Sequence, residues 1–518
     1  MSLGNYLWAR HVKTISSMAL VPLLLGTLLL LGLSHCASPA EPDPYARYRP
    51  AMKADFQNDL DLLGPVPEYS IAVTLSQSLE ELKGRAQIIV PNTSPHIWDD
   101  HLLFRLYPSL PQYGGKMTIQ IANVNGKPAR FDYKPRTEKS AIRLVLEEPL
   151  FPGEEATVEL IWHLQIPIWQ DISSGYHLFG NSQQMTSLPL FYPALSVYEP
   201  EKSFGQGEWW SEVGSVRGDA AFSPISLFVV TATIPSYQVP VASGTLVTST
   251  FVSDSEARHV WVTGPSREFL LHNSAQFSYA YAEAYGTRVT SFWLPGDEAA
   301  GRAALQYAIG ALRIFSDKFG MYPYRDMRVA PAPLAFRGME YPQVSLLGVE
   351  DYNRFRSSLE SLTAHEVAHQ WWYQIVHNDP VNMPWLDESL AEYSIKIYVE
   401  NIYGEQSADA LQARRWQNRV NGLSNKSLLI DQPVLAFDSG PVYEAIIYSK
   451  GALFYDQLRS RLGERAFFKF FQSYFERHRY RIVETEDWLA DIEALEDEEL
   501  LRLVEEWIAS TNTAESVP

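Results

Sequence analysis

The sequence has one cysteine in 518 residues, Cys36, so no disulfide can form within the chain. Positive charge is also short: 42 Lys and Arg stand against 61 Asp and Glu, a formal net charge of −19. Such a surface repels phosphate backbones and anionic lipid headgroups, which excludes nucleic acid as a partner. No glycine loop built to cradle phosphates and no C-x-x-C pair occurs, and Asn378-Asp379-Pro380 reads as turn chemistry. Neither a Ser/Gly linker nor a repeat of fixed period is present. What remains is a globular supply of 46% hydrophobic, 20% charged and 13% aromatic residues, ample for large cores. The length suits two or three domains.

The first 45 residues differ from the rest. Arg10, His11 and Lys13 form a weakly basic head, and residues 18–33 (MALVPLLLGTLLLLGL) are an uninterrupted apolar run. This run is long for the core of a secretory signal and short for a comfortable membrane span. Cys36 follows it in a setting similar to a bacterial lipoprotein box, with His35 where a small residue is usual. The expectation is an exported protein of the cell envelope, held at the membrane by this segment or by a lipidated Cys36. Ordinary cleavage near Ala40 and secretion is the alternative.

From 46 to 280 the pattern alternates with period two, the signature of half-buried strands. SIAVTL (70–75), ATVELIW (156–162), SLFVVTATIP (226–235) and RHVWVTG (258–264) all follow it, and Asn125-Gly126 between two alternating runs marks a hairpin. This part is expected to be an antiparallel β-domain. From 281 to 518 the period becomes helical, first in DEAAGRAALQYAIGALRIFSDKFG (297–320) with Gly320 as a stop, then over 356–376, 387–403, 408–420, 447–462 and 464–477. A short strand is expected at 327–334.

The chemistry concentrates in LTAHEVAHQWWYQIV (362–376). Leu359, Leu362, Val367, Trp371 and Ile375 recur at helical spacing and give this stretch a buried face. His365 and His369 are four apart, so both imidazoles leave one side of the helix. Two neutral imidazoles at that spacing can hold a Zn²⁺ at about 2.0–2.1 Å each. Glu366 projects about 100° round the helix, close to where a metal-bound water would sit. A catalytic zinc needs a third protein ligand and one open position. A second helix starting in PWLDESLAEY (384–393) can return after a short loop and offer Glu388, nineteen positions beyond His369. The plainer reading is an amphipathic helix that carries histidines by chance, with Glu388 an ordinary acid of the next helix's first turn.

HEVAHQWW and WLDESLAEY together resemble the aminopeptidase N and leukotriene-hydrolase family of gluzincin zinc metallopeptidases, in which H-E-x-x-H is followed after eighteen residues by a zinc-binding glutamate. The resemblance implies two further elements. A G-x-M-E-N loop and edge strand that binds the substrate's α-amine is matched in FRGMEYPQVSLL (336–347) by Met339 and Glu340, with Gly338 at the variable second position, Arg337 in place of the first glycine and Tyr341 in place of the asparagine. A tyrosine ahead of a K-G pair is matched by Tyr448, before Ser449-Lys450-Gly451, with Tyr443 five residues earlier. By resemblance, Tyr448 donates to the oxyanion and Tyr443 lines the site. A glutamine of the β-domain near the amine would be Gln183 or Gln184.

The implied architecture is α+β and multidomain: an N-terminal antiparallel β-sandwich or saddle, then a thermolysin-like, mainly helical catalytic domain, in a short form without the helical C-terminal domain of larger relatives. The implied activity is that of a zinc-dependent aminopeptidase acting on peptides. It holds one Zn²⁺ on His365, His369 and Glu388, with Glu366 as general base. Two other readings stay open: a zinc endopeptidase of related fold, if Arg337 cancels Glu340, and a non-catalytic envelope protein that keeps the fold for binding.

Overall fold

Period-two alternation builds the first half of the chain. In the computed structural model, which describes residues 43–170, 177–182, 184–213, 219–335, 337–354, 356–425 and 427–508, the run Glu68–Leu75 alternates between buried and half-buried positions. It lies inside an eight-stranded sheet. The strand order is Thr245–Phe251, Glu256–Val262, Leu227–Pro235, Glu68–Leu75, Glu81–Pro91, Glu155–Gln165, Lys116–Val124, Lys127–Pro128. Asn125 and Gly126 have φ of 51° and 76°, the left-handed pair that a tight hairpin requires. Two four-stranded sheets and a two-stranded one complete the β-rich region among the described residues. The expected antiparallel pattern has one exception: Glu68–Leu75 and Leu227–Pro235 pair in parallel. These strands are far apart in sequence, and a long connection is what permits parallel pairing. The apolar run at 18–33 and Cys36 lie outside the described residues, as does Gln183.

A second sheet begins at Ser278, so the boundary expected at 280 falls within its first strand. Its order is Ser278–Ala284, Thr287–Trp293, Asp326–Ala332, Val344–Gly348, Gly338–Tyr341. The helix Glu298–Phe319 packs on it, burying Ala304, Ala308, Leu312, Phe315 and Phe319 at i, i+4, i+8 spacing. Gly320, at φ 133°, ends that helix. The remaining helices enclose an aromatic core in which Trp372, Phe319 and Phe471 meet and Phe315 packs edge-on against Trp371. From Pro44 onward the chain is one compact unit.

The expected helix over 356–376 is shorter in the structure, Leu359–Ala368. After His369 the chain turns: Tyr373 adopts φ 115°, and Val376 bonds back to Trp371 O at 2.9 Å. Its apolar residues remain buried, but through turns as well as helix. His377, read from sequence as a loop residue, is buried in the short strand Val376–His377 paired with Arg481–Ile482.

A buried histidine links one of the four-stranded sheets, which contains Thr186–Pro189 and Leu270–Ser274, to the second sheet. His272 Nδ1 lies 2.7 Å from Ser187 Oγ, and Nε2 lies 3.1 Å from Pro331 O on the second sheet. Burial pushes its pKa down from 6.5 to about 4, while the Pro331 carbonyl pulls weakly upward. The folded protein therefore keeps this group neutral while the unfolded chain protonates it. Stability tied to His272 is complete above pH 6.5 and drains as pH falls from 6.5 towards 4, by roughly 3 kcal/mol in total. Unfolding midpoints of wild type and His272→Gln, compared at pH 7 and pH 4.5, should converge at the lower pH. A difference that does not depend on pH would contradict this assignment.

Candidate metal centre and active-site cavity

Two helices and one edge strand bring the chemical groups together. The helix Leu359–Ala368 carries His365 and Glu366, with His369 at its C-cap, and the return helix Trp385–Tyr403 carries Glu388 in its first turn. Close approach near Glu388 relies on Gly451: a Cβ there would lie 2.0 Å from Ser389 Oγ, which donates to Ile447 O at 2.6 Å. The K-G pair after Tyr448 thus has a packing reason.

His365 Nε2, His369 Nε2 and Glu388 Oε2 form a triangle with all three edges at 3.2 Å. Ligands about 2.0–2.1 Å from a tetrahedral ion stand roughly 3.3 Å apart, so the donor set and its spacing fit zinc. The outer contacts fix the ring orientation. His369 Nδ1 donates to Trp372 O at 3.0 Å, which leaves the lone pair on Nε2. His365 Nδ1 faces Glu392 Oε2 at 3.4 Å. Glu392 is itself buried and held by Arg415 through two nitrogens and by Trp416 Nε1 at 2.7 Å. Arg415 and Trp416 sit on a π-helical turn, Ala413–Gln417.

The electrostatics call for a cation. Burial opposes charge on His365, yet Glu388 and Glu392 carry its pKa up to about 9. Burial also raises Glu388, but hydrogen bonds from both histidines outweigh it and hold the carboxyl well below its usual range. A divalent ion would take the place of those imidazolium protons. Glu366 is driven by burial up to about 7, with His365 and His369 pulling the other way, and its Oε2 is buried with no hydrogen-bond partner.

The edge strand Gly338–Tyr341 lies along the other side of the centre. Met339 and Tyr341 join the core of the β-rich region, while Glu340 is buried beside the histidines. Gln374 Nε2 donates to Glu340 O and Gln370 Nε2 to Tyr341 O, tying this strand to the residues just past the helix. Gly338 is where Glu366 passes: a Cβ on it would lie 2.0 Å from Glu366 Oε1. Arg337 pairs with Glu444 at 2.6 Å. Tyr448 stands on a second π-helical turn, Glu444–Lys450; its ring stacks on His365 and its hydroxyl donates to Glu388 Oε1 at 2.5 Å. Tyr443 packs edge-on against Tyr448, its hydroxyl buried with no hydrogen-bond partner.

These groups line one cavity of about 520 Å³ that takes in Asp219, Gly338, Met339, Glu340, His365, Glu366, His369, Glu388, Glu392, Tyr443 and Tyr448. All nine residues picked out from sequence are thereby brought together. Gln184 is not: it is exposed and does not line the cavity. Sequence reasoning missed Glu392, Asp219, Gln370 and Gln374. Glu392 had a signal, since it lies four residues after Glu388 and so on the same helix face. Asp219 sits in a stretch without periodicity and had none.

Residues 304–507 match the family described as peptidase family M1 domain. Aminopeptidase M1-A of Oryza sativa subsp. japonica is 27% identical over 247 residues, 44% of this chain and 28% of that protein. Aminopeptidase M1 of Arabidopsis thaliana is 26% identical over 234 residues, 43% of this chain and 27% of that protein. The chain therefore spans little more than a quarter of the length of these relatives. Among solved structures, an M1 zinc metallopeptidase from Deinococcus radiodurans superposes with a TM-score of 0.64 at 21% identity, covering 87% of this chain and 94% of that one. A mutant of it bound to a Tyr-Ser-Ala substrate gives 0.63 at 20% identity over the same shares. At such identity the likeness establishes the fold, a β-rich N-terminal region followed by a helical part.

Glu392 offers a direct test of the outer contacts. Glu392→Gln should weaken zinc binding about 10- to 100-fold, because His365 loses its orienting carboxylate. Competition with a chromophoric chelator measures this. Wild-type affinity in the variant would show that Glu392 serves only to pair Arg415.

Proposed function

We propose that this chain, whose residues 304–507 match the peptidase family M1 domain, belongs with the aminopeptidase N family of gluzincin metallopeptidases and is a zinc-dependent aminopeptidase. It would hold one Zn²⁺ on His365, His369 and Glu388 and remove N-terminal residues from peptides. The observation that carries this reading is Glu340, a buried carboxylate on an edge strand in the same cavity as the donor triangle. A fixed anion beside the metal centre binds a peptide's α-ammonium, which sets the first peptide bond at the ligand triangle and leaves internal bonds out of reach.

When bound, zinc supplies Lewis-acid polarisation of a water and of the scissile carbonyl. Glu366 takes the water's proton and later gives it to the leaving amine; burial up to about 7 suits a group that must do both near neutrality. Tyr448 would turn its hydroxyl from Glu388 to the oxygen that becomes negative in the transition state. Glu340 and the strand Gly338–Tyr341 hold the peptide's N-terminal end, and Tyr443 closes the wall beside Tyr448.

An endopeptidase would need Glu340 neutralised, and the engagement of Arg337 by Glu444 supports the aminopeptidase instead. A binding protein without activity would need neither the buried Glu366 nor Tyr448 beside the donor triangle. The apolar run at 18–33 followed by Cys36 supports an exported, membrane-held enzyme that meets its peptides outside the cytoplasm.

Metal analysis combined with paired assays on one peptide, free and N-acetylated, tests the reading. The expected result is one zinc per chain and cleavage of the free peptide only. Glu366→Gln should retain zinc while kcat falls at least about 100-fold. Equal cleavage of both peptides, or full activity in the zinc-loaded Glu366→Gln protein, would sink the proposal.

A further inference from the structure

The inner part of the cavity is acidic, but its outer end is not. In a chain of net charge −19, three arginines line it among the described residues: Arg337, Arg415 and Arg419. Arg415 belongs to the metal centre, since it bonds Glu392 through two nitrogens. Arg337 and Arg419 approach a different carboxylate, and both approach the same one. Arg337 Nη2 lies 2.6 Å from Glu444 Oε1, and Arg419 Nη1 lies 3.6 Å from Glu444 Oε2. Two guanidiniums at one carboxylate leave a formal surplus of one positive charge at this end. The longer contact is beyond hydrogen-bond reach, so Glu444 holds Arg419 loosely. The side chains of Arg337 and Arg419 are 57% and 47% exposed, whereas those of Glu388 and His369 are 13% and 1% exposed. The cationic cluster therefore stands at the solvent end of the cavity, and the donor triangle at its inner end.

The edge strand supplies a ruler between the two ends. Arg337 extends the ladder of Gly338–Tyr341, because its carbonyl accepts from Gly348 N at 2.8 Å. Strand residues rise about 3.3 Å each, so Arg337 lies about 10 Å along the strand from Glu340. Gly338, with the Glu366 carboxylate against it, falls between them. An extended peptide advances by nearly the same step. A peptide with its ammonium at Glu340 and its first peptide bond at Glu366 and the triangle brings its second and third residues beside Arg337.

Resting on the aminopeptidase reading, we infer that Arg337 and Arg419 form a carboxylate-binding subsite for the part of the peptide beyond the cleaved bond. The carboxylate is the C-terminus of a di- or tripeptide, or an acidic side chain at the second or third residue. A guanidinium presents paired donors that match a carboxylate in geometry as well as charge. Glu444 keeps the two arginines together and, as an anion, competes with the substrate for them. Arg337 stands where the G-x-M-E-N pattern has a glycine, which brings no charge. The preference is thus a property of this chain and not of the pattern it resembles.

Four peptides with an N-terminal leucine test this on the zinc-loaded full chain: Leu-Gly-Gly and its C-terminal amide, and the amides of Leu-Gln-Gly and Leu-Glu-Gly. In wild type, kcat/KM should favour the carboxylate-bearing member of at least one pair by about tenfold. A preference within the first pair identifies the C-terminus as the source, and one within the second pair identifies the acidic side chain. Arg337→Gln and Arg419→Gln should each bring the ratio towards one. Glu444→Gln should move it the other way, because the competing anion is gone. A merely structural role for the arginines would lower both members of a pair together and leave the ratio in place. High salt should shrink the wild-type ratio, since the groups are exposed. Ratios near one for both pairs in wild type, or the wild-type ratio retained in both arginine variants, overturn the inference and leave the aminopeptidase reading standing. No turnover of any of these free-amine peptides would remove that reading and this one with it.

Discussion

Glu388 Oε2 stands 3.2 Å from two imidazole nitrogens, and much of the helical region serves to keep it there. Three lone-pair atoms converging in a buried place repel one another unless protons or a cation intervene. The fold bears that strain by fixing each group from behind. Trp372 O sets the His369 ring, Glu392 faces the His365 ring, and Tyr448 bonds the second oxygen of Glu388. Glu392 would itself be an uncompensated buried charge without Arg415. The cost is thus passed outward from helix to helix until it reaches a residue that touches solvent. That chain of support is why the return helix must come close, and why Gly451 faces Ser389.

The β-rich region contributes more than a wall. Its Arg267 bonds Tyr373 O, its Trp210 bonds Asp379, and its Asp219 meets the Tyr373 hydroxyl. Two of these contacts fall on Tyr373 in the turn that follows His369, and the third falls on Asp379, just past the strand Val376–His377. The motif helix is short because this turn replaces its last turns, and the turn is what the β-rich region grips. Positioning of the metal ligands therefore depends on both halves of the chain, although every expected ligand lies in one of them.

Local order made the fold and the donor set legible in the sequence. Alternation marked the strands, a 3.6-residue period marked Glu298–Phe319 and Trp385–Tyr403, and His365, His369 and Glu388 fell on two helices whose faces spacing alone determines. What escaped was whatever spacing does not encode. The parallel pairing of Glu68–Leu75 with Leu227–Pro235 joins segments with no local relation. The two π-helical turns, which aim Tyr448 at Glu388 and Arg415 at Glu392, each add a residue to a helical turn. They break the periodicity by which such side chains would be assigned to a face. Asp219 reaches the cavity from a stretch without regular structure, so no pattern announces it.

The distribution of charge in the cavity ties these threads together. Cationic side chains in its lining are already engaged, Arg415 with Glu392 and both Arg337 and Arg419 with Glu444. The acids of the edge strand and of the β-rich region are not. A divalent ion on the donor triangle offsets Glu388 and part of the charge of Glu366, and still leaves Glu340 and Asp219. On the proposed aminopeptidase reading, a peptide entering with its ammonium towards these acids would complete the balance, whereas the reverse orientation would add a carboxylate to them. On that reading, orientation of the substrate would follow from the charge left over once the metal centre is built. The departure from the G-x-M-E-N pattern at Arg337 does not disturb it, because that guanidinium is directed to Glu444.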